Sequence, residues 1–285
     1  MAEPQRYESA SAFRRAFEDR LKTISIKERI PLERLRRQAA FDRLLARLFA
    51  APNAPWALKG GYALELRLRE ARATRDIDLV LREPPVRWKG GNEEIRRALQ
   101  DAANRGMGDF FEFQVGEPMM DLDAAPYGGA RLPVTAMMDN RVFAKFHLDA
   151  AIGDPVIEPL STTSGHDWLG FADIPAGSFL TISPEQHMAE KLHAYTLPRL
   201  TPNSRVRDLV DMELLRRSNV LDRGRVKEAL RVVFARRKTH EPPEALTPPP
   251  AAWEGPFRAM AAECGLPGDI HAAFEEIRDF WKSVR

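Results

Sequence analysis

The chain has 285 residues, 44% of them hydrophobic and 29% charged, which is enough for one large or two modest domains with an ample core. A net charge of +2 is no blanket basic coat, so any nucleic-acid partner has to be gripped by a local patch. The single cysteine, Cys264, excludes an internal disulfide framework and a cysteine-based zinc cluster; with no apolar run of membrane length and no signal-peptide core, a cytoplasmic protein is expected.

Over 11–23, Phe13, Phe17 and Leu21 share one face of a predicted helix, the apolar side of a mixed stretch running over 1–27. A second helix over 31–50 places Pro31 in its first turn and Leu35, Phe41, Leu44, Leu45 and Leu48 toward a core. A strand at 56–59, a helix at 61–68 and a strand at 77–81 follow, then a helix at 92–104 and strands at 110–115, 131–137 and 142–150. From 184 onward the pattern is helical, with helices over 184–195, 205–218, 223–237, 253–264 and 269–284. The proline-rich 241–250 reads as an extended connector. The fold class is therefore α+β: a mixed sheet with helices over 1–180, followed by a helical part over 181–285.

Two short signals in the first part point to chemistry. Gly60 and Gly61 stand between the apolar run Trp56-Ala57-Leu58 and the helix-like run Tyr62 to Leu68. Glycines there let the backbone approach a phosphate and aim helix N–H groups at it. Asp76 and Asp78 alternate with Ile77 and Leu79, so in a strand both carboxylates leave on one face while Ile77 turns inward. Side by side they repel, and a divalent cation removes that cost; Mg²⁺ is commonly held by one or two carboxylates plus substrate phosphates. Alone, the glycines read as a tight turn and the aspartates as a solvated strand edge. In this order, on a strand, helix, strand rhythm, they read as nucleotidyl transfer.

Further along, Lys145, His147 and Asp149 share one face of a strand. Asp149 is either a third carboxylate of the metal site, serving as general base or second-metal ligand, or a cap on the strand exit before Gly153-Asp154-Pro155. His147 reads as an ordinary strand residue. Lys191 and Tyr195 lie one turn apart on a helix, where a lysine would meet a triphosphate as a compact point charge. Asp208 and Asp211 share a face of the next helix, and either can orient Lys191 or Arg207. From Arg205 to Lys238 the chain is locally basic, which makes either a stripe for phosphate contacts or a solvated helix face.

Lys59-Gly60-Gly61-Tyr62-Ala63-Leu64, Arg72-Ala73-Thr74-Arg75-Asp76-Ile77-Asp78-Leu79, Glu190-Lys191-Leu192-His193-Ala194 and Arg207-Asp208-Leu209-Val210-Asp211 together resemble the AbiEii/AbiGii toxin family. These are MenT-like nucleotidyltransferases of the polymerase-β-type superfamily. The resemblance implies a nucleotidyltransferase-fold domain with a helical C-terminal part, and Mg²⁺ on Asp76 and Asp78. It implies that Gly60 and Gly61, with Thr74 or Arg75, hold the triphosphate of an NTP. Lys191 matches the family's lysine, Asp208 or Asp211 its late acidic residue, and Asp149 the superfamily's third carboxylate. It further implies a toxin of a toxin–antitoxin or phage-defence system that adds nucleotides to RNA, with the tRNA 3′ end favoured, and a separately encoded antitoxin. At Tyr62 the chain departs from the small hydroxyl residue that many members carry. Transfer to a small-molecule or protein hydroxyl, and a catalytically silent nucleotide- or RNA-binding partner, are the alternative readings.

Overall fold

The computed structural model describes residues 7–68, 71–82, 91–121, 125–198 and 205–285, so the start of the N-terminal reading, 1–6, lies outside the described residues. The chain divides into two compact units, each discontinuous in sequence. One gathers the described residues of Met1–Leu58, Arg75–Gly153 and Thr162–Leu180; the other gathers those of Lys59–Thr74, Asp154–Ser161 and Thr181–Arg285.

The first unit begins with α1 (Ala10–Glu28), capped by Ser9, whose hydroxyl accepts from the Ala12 N–H at 3.2 Å. Phe13, Phe17 and Leu21 form its buried stripe. It outruns its expected end at 23 because nothing breaks the helix until Arg29 turns left-handed (φ 56°) ahead of Pro31. After α2 (Leu32–Leu48) come β1 (Trp56–Lys59), α3 (Gly60–Arg67, part of the second unit), β2 (Asp76–Leu81) and α4 (Gly91–Ala103). The remaining strands are β3 (Phe111–Val115), β4 (Met120–Asp121), β5 (Gly129–Met138), β6 (Arg141–Ala151), β7 (Ser161–Ser164) and β8 (Ser178–Thr181).

These strands form an eight-stranded mixed sheet in the order β3-β5-β6-β2-β1-β8-β7, with β4 on β5 beyond the main path. β5 and β6 make an antiparallel hairpin around Asp139 and Asn140, both at positive φ (54° and 53°), the geometry that tight two-residue turns demand. β2 lies parallel to β6. From Ala130 onward β5 alternates between buried and half-exposed residues, so the sheet has one packed face and one polar face. Ile77, Leu132, Phe146 and Leu148 line the packed face, and Phe41 of α2 meets Phe146 edge-on at 4.7 Å. β4, β7 and β8 went unanticipated. Two to four residues long, and polar throughout in β7 (Ser161 to Ser164), they carry no periodicity of their own and are strands only through their partners.

One buried charge cluster anchors α2. Arg43 and Arg47, one turn apart, reach Asp109 at 2.6 and 2.5 Å, and all three are almost fully buried. Asp109→Ala leaves two guanidinium groups uncompensated in the interior; a loss of about 3–5 kcal/mol is expected in urea unfolding.

The second unit is helical apart from its connecting segments: α3, α5 (Pro184–Thr196), α6 (Val206–Arg217), α7 (Arg223–Arg237), α8 (Glu254–Glu263) and α9 (Ile270–Val284). Its core holds Leu64, Leu192, Leu209, Val226, Phe257, Ile277 and Trp281. Local chemistry marks the starts of these helices. Ser183 accepts from the Gln186 N–H ahead of Pro184, Asp222 from the Arg225 N–H, and Asp269 from the His271 and Ala272 N–H groups. Cys264 is buried and unbridged. No described helix is long and apolar enough to cross a membrane.

Candidate active site

The polar face of the first unit's sheet carries the acidic residues. Across β2 and β6, Asp76 pairs with His147 and Asp78 with Asp149; across β6 and β5, Asp149 pairs with Arg131. Directly paired residues project to the same face about 5 Å apart, so Asp78, Asp149 and Arg131 form one transverse row and Asp76 with His147 the next. The Arg131 guanidinium bridges the rows, donating from Nε to Asp149 Oδ1 at 2.8 Å and from its terminal nitrogen to Asp76 Oδ2 at 3.1 Å. His147 Nδ1 stands 3.4 Å from Asp76 Oδ1. Asp76 keeps 34% of its side chain exposed and Asp149 only 18%, so Asp76 is the more open to a ligand from outside. Burial raises the Asp149 carboxyl above its ordinary value, against the lowering effect of Arg131.

The three carboxylates offer hard oxygen donors, the set that suits Mg²⁺ or Mn²⁺, with the His147 imidazole beside them. Among the described residues no three His, Cys, Asp or Glu side chains are gathered closely enough to hold a cation by themselves. Mg²⁺ asks for less, one or two carboxylates completed by phosphates and water, and that the row supplies. The residues therefore fit such an ion.

In the second unit, Gly60 opens α3 at φ 64°, a conformation that side chains rarely adopt. Gly61 is needed for space: a Cβ there would sit 2.7 Å from Thr74 Oγ1 and 3.0 Å from Thr74 Cβ. Gly61→Ala is accordingly expected to lower stability by about 1–3 kcal/mol, read as an earlier urea midpoint. The Thr74 backbone N–H donates to Glu65 at 3.3 Å. Tyr62 is fully buried, so its side chain is an interior aromatic rather than a phosphate contact. Just before the glycines, Lys59 is held by Asp154 and, at 3.7 Å, by Glu190; Arg237 reaches the same two carboxylates at 3.0 and 3.7 Å.

Lys191 on α5 meets both candidate late acids of α6, Asp208 at 3.0 Å and Asp211 at 2.8 Å. Asp211 also takes a forked bond from Arg72, at 2.9 and 2.8 Å. Although burial opposes it, the attraction of Lys191 and Arg72 pulls the Asp211 carboxyl down to about 2, and Asp211 with Asp208 raises Lys191 above the ordinary lysine value. Asp208 is held from its other side by Arg205 at 3.3 Å.

Each unit thus brings together its own share of the predicted residues: Asp76, Asp78 and Asp149 in one, Gly60, Gly61 and Thr74, and Lys191 with Asp208 and Asp211, in the other. Arg75 is exposed at the start of the first unit's second segment. Sequence reasoning missed Arg131, Arg72 and Asp154. Arg131, an arginine within an apolar strand, was the one visible signal; the other two partnerships depend on tertiary pairing. The basic stripe is largely matched by acids: Arg216 and Arg217 bond Glu213, Arg231 bonds Glu228, and Arg237 is an interior ion-pair partner of Asp154.

The chain is similar in structure to MenT4, a nucleotidyltransferase toxin from Mycobacterium tuberculosis H37Rv, with a TM-score of 0.61 at 15% identity, covering 94% of this chain and 89% of that one. That likeness speaks for the fold. JHP933 from Helicobacter pylori aligns at a TM-score of 0.46 and 12% identity, covering 88% of this chain and 91% of its own. A search of curated protein sequences gives no match. Residues 43–279 match the family described as the nucleotidyl transferase AbiEii toxin of type IV toxin–antitoxin systems. With that match spanning most of its length, the chain belongs to the AbiEii nucleotidyltransferase toxin family.

Proposed function

We propose that the protein is a cytoplasmic, Mg²⁺-dependent nucleotidyltransferase that moves an NMP from an NTP to an RNA 3′ end, with tRNA as the favoured acceptor, and that a separately encoded antitoxin restrains it. Family membership supports nucleotidyl transfer and the toxin role. The observation that carries the site assignment is the placement of Asp76, Asp78 and Asp149 together on the polar face of one sheet.

In this reading Asp76 and Asp78 hold the divalent ion, and Gly60 and Gly61, with Thr74 or Arg75, receive the triphosphate at the start of α3. Lys191, fixed by Asp208 and Asp211, presents a permanent positive charge to the phosphate tail. When bound, the ion supplies charge neutralisation at the α-phosphate and eases loss of the acceptor proton. The acceptor hydroxyl oxygen bonds to the α-phosphorus, the bond to pyrophosphate breaks, and the hydroxyl proton passes to Asp149. The raised pKa of that carboxyl suits a proton acceptor.

The matched acids along the stripe favour a second reading, in which the acceptor hydroxyl belongs to a small molecule or a protein. Purified protein incubated with total tRNA, Mg²⁺ and each α-labelled NTP in turn tests both readings. Label is expected in tRNA with one nucleotide only. Label absent from RNA but present in a protein or small-molecule fraction selects the second reading, and no transfer to any acceptor refutes both.

A further inference from the structure

Arg131 engages Asp76, one of the two acids that the proposed reaction gives to a metal ion. Its guanidinium is bonded at once to Asp76 and Asp149, the two acids that pair with neighbouring positions of β6 and β5. The three carboxylates of the face stand within a strand spacing or two of one another, with His147 beside Asp76. One fork-shaped cation serving two of these acids is the arrangement that offsets their repulsion in the absence of another ion. Removing a unit positive charge a few ångströms from a cation site strengthens that site in proportion to the Coulomb term.

We propose that Arg131 is a resident counter-cation of the carboxylate row, holding Asp76 and Asp149 in place while the row is metal-free and yielding Asp76 when a divalent ion enters. Metal affinity is thereby held down by an internal competitor, and the guanidinium released from Asp76 becomes available to a phosphate. Arg131 is a positioning residue in this account, acting through the carboxylates. The proposal rests on the assignment of Asp76 to the metal.

The test uses Mn²⁺ as probe, read by the paramagnetic signal of the free ion, with no turnover required. Arg131→Met is expected to bind Mn²⁺ about tenfold more tightly than the unaltered protein, equivalent to about 1.4 kcal/mol. Its metal-free melting temperature is expected to fall, and Mn²⁺ to raise it by more than in the unaltered protein. Arg131→Lys keeps the charge without the fork and is expected to fall between the two. Equal or weaker Mn²⁺ binding in Arg131→Met overturns the proposal while leaving the metal assignment intact. Failure of both proteins to bind Mn²⁺ overturns proposal and assignment together.

The unaltered protein gives an independent reading. A terminal guanidinium N–H resonance of Arg131, identified by its loss in Arg131→Lys, is expected to shift on titration with Mg²⁺ as the bond to Asp76 is given up. A resonance unmoved at saturating Mg²⁺ refutes displacement even if the methionine variant does not fold.

Discussion

Asp76→Ala is expected to reduce NMP transfer by about a thousandfold or more, because charge neutralisation and positioning supply most of the catalysis in phosphoryl transfer. The substitution should leave the fold standing. Asp76 is a third exposed, and Arg131 keeps its bond to Asp149 when Asp76 is gone. Circular dichroism and a melting temperature within a few degrees of the unaltered protein would separate lost chemistry from lost structure. Full transfer by a folded Asp76→Ala protein would remove Asp76 from the mechanism. Asp78, its neighbour two positions along β2, is expected to behave alike.

The largest stability effect attached to the second unit is expected at Asp211. Its side chain is fully buried between Lys191 and Arg72, so Asp211→Ala strands the Arg72 guanidinium and leaves Lys191 with Asp208 alone. Loss of one partner from such a cluster costs about 3–5 kcal/mol. Acid should expose the same dependence. The folded Asp211 carboxyl titrates near 2, below its ordinary 3.8, so its contribution is complete above the unfolded value and disappears as pH falls toward 2. Across that window the unaltered protein should lose about 2 kcal/mol through this group. Urea midpoints measured from pH 6 down to pH 2 should therefore converge for the unaltered protein and Asp211→Asn. A constant gap over that range would show that the charge of Asp211 is not what stabilises the unit.

How much of this was legible in the sequence depended on how far each signal reaches along the chain. Helices announced themselves through local periodicity, as with Phe13, Phe17 and Leu21. The shared face of Asp76 and Asp78 followed from strand alternation alone, since Ile77 between them is fully buried. For Asp149 the residues allowed two readings, and its placement opposite Asp78 became visible only once β6 had a parallel neighbour. The choice between Asp208 and Asp211 was posed as a choice because spacing cannot show that one lysine reaches both. Arg72 was unreadable for the same reason, since its carboxylate lies on another element. A reading along the chain places one boundary near 178–184, whereas the units interleave and 59–74 groups with the C-terminal helices.

The parallel pairing of β2 with β6 also sets a timetable. Asp76 and Asp149 are 73 positions apart, so the first must wait for the second to be synthesised. At ordinary elongation rates that wait is about 4–15 s, and a strand pairing of such long range forms slowly even then. Arg72 waits longer still for Asp211. A nascent chain that has not yet produced β6 carries the glycine turn and the Asp76–Asp78 pair without the strand that completes their row. A ribosome-bound fragment ending before Arg141 should therefore be inert in any reaction that needs that row.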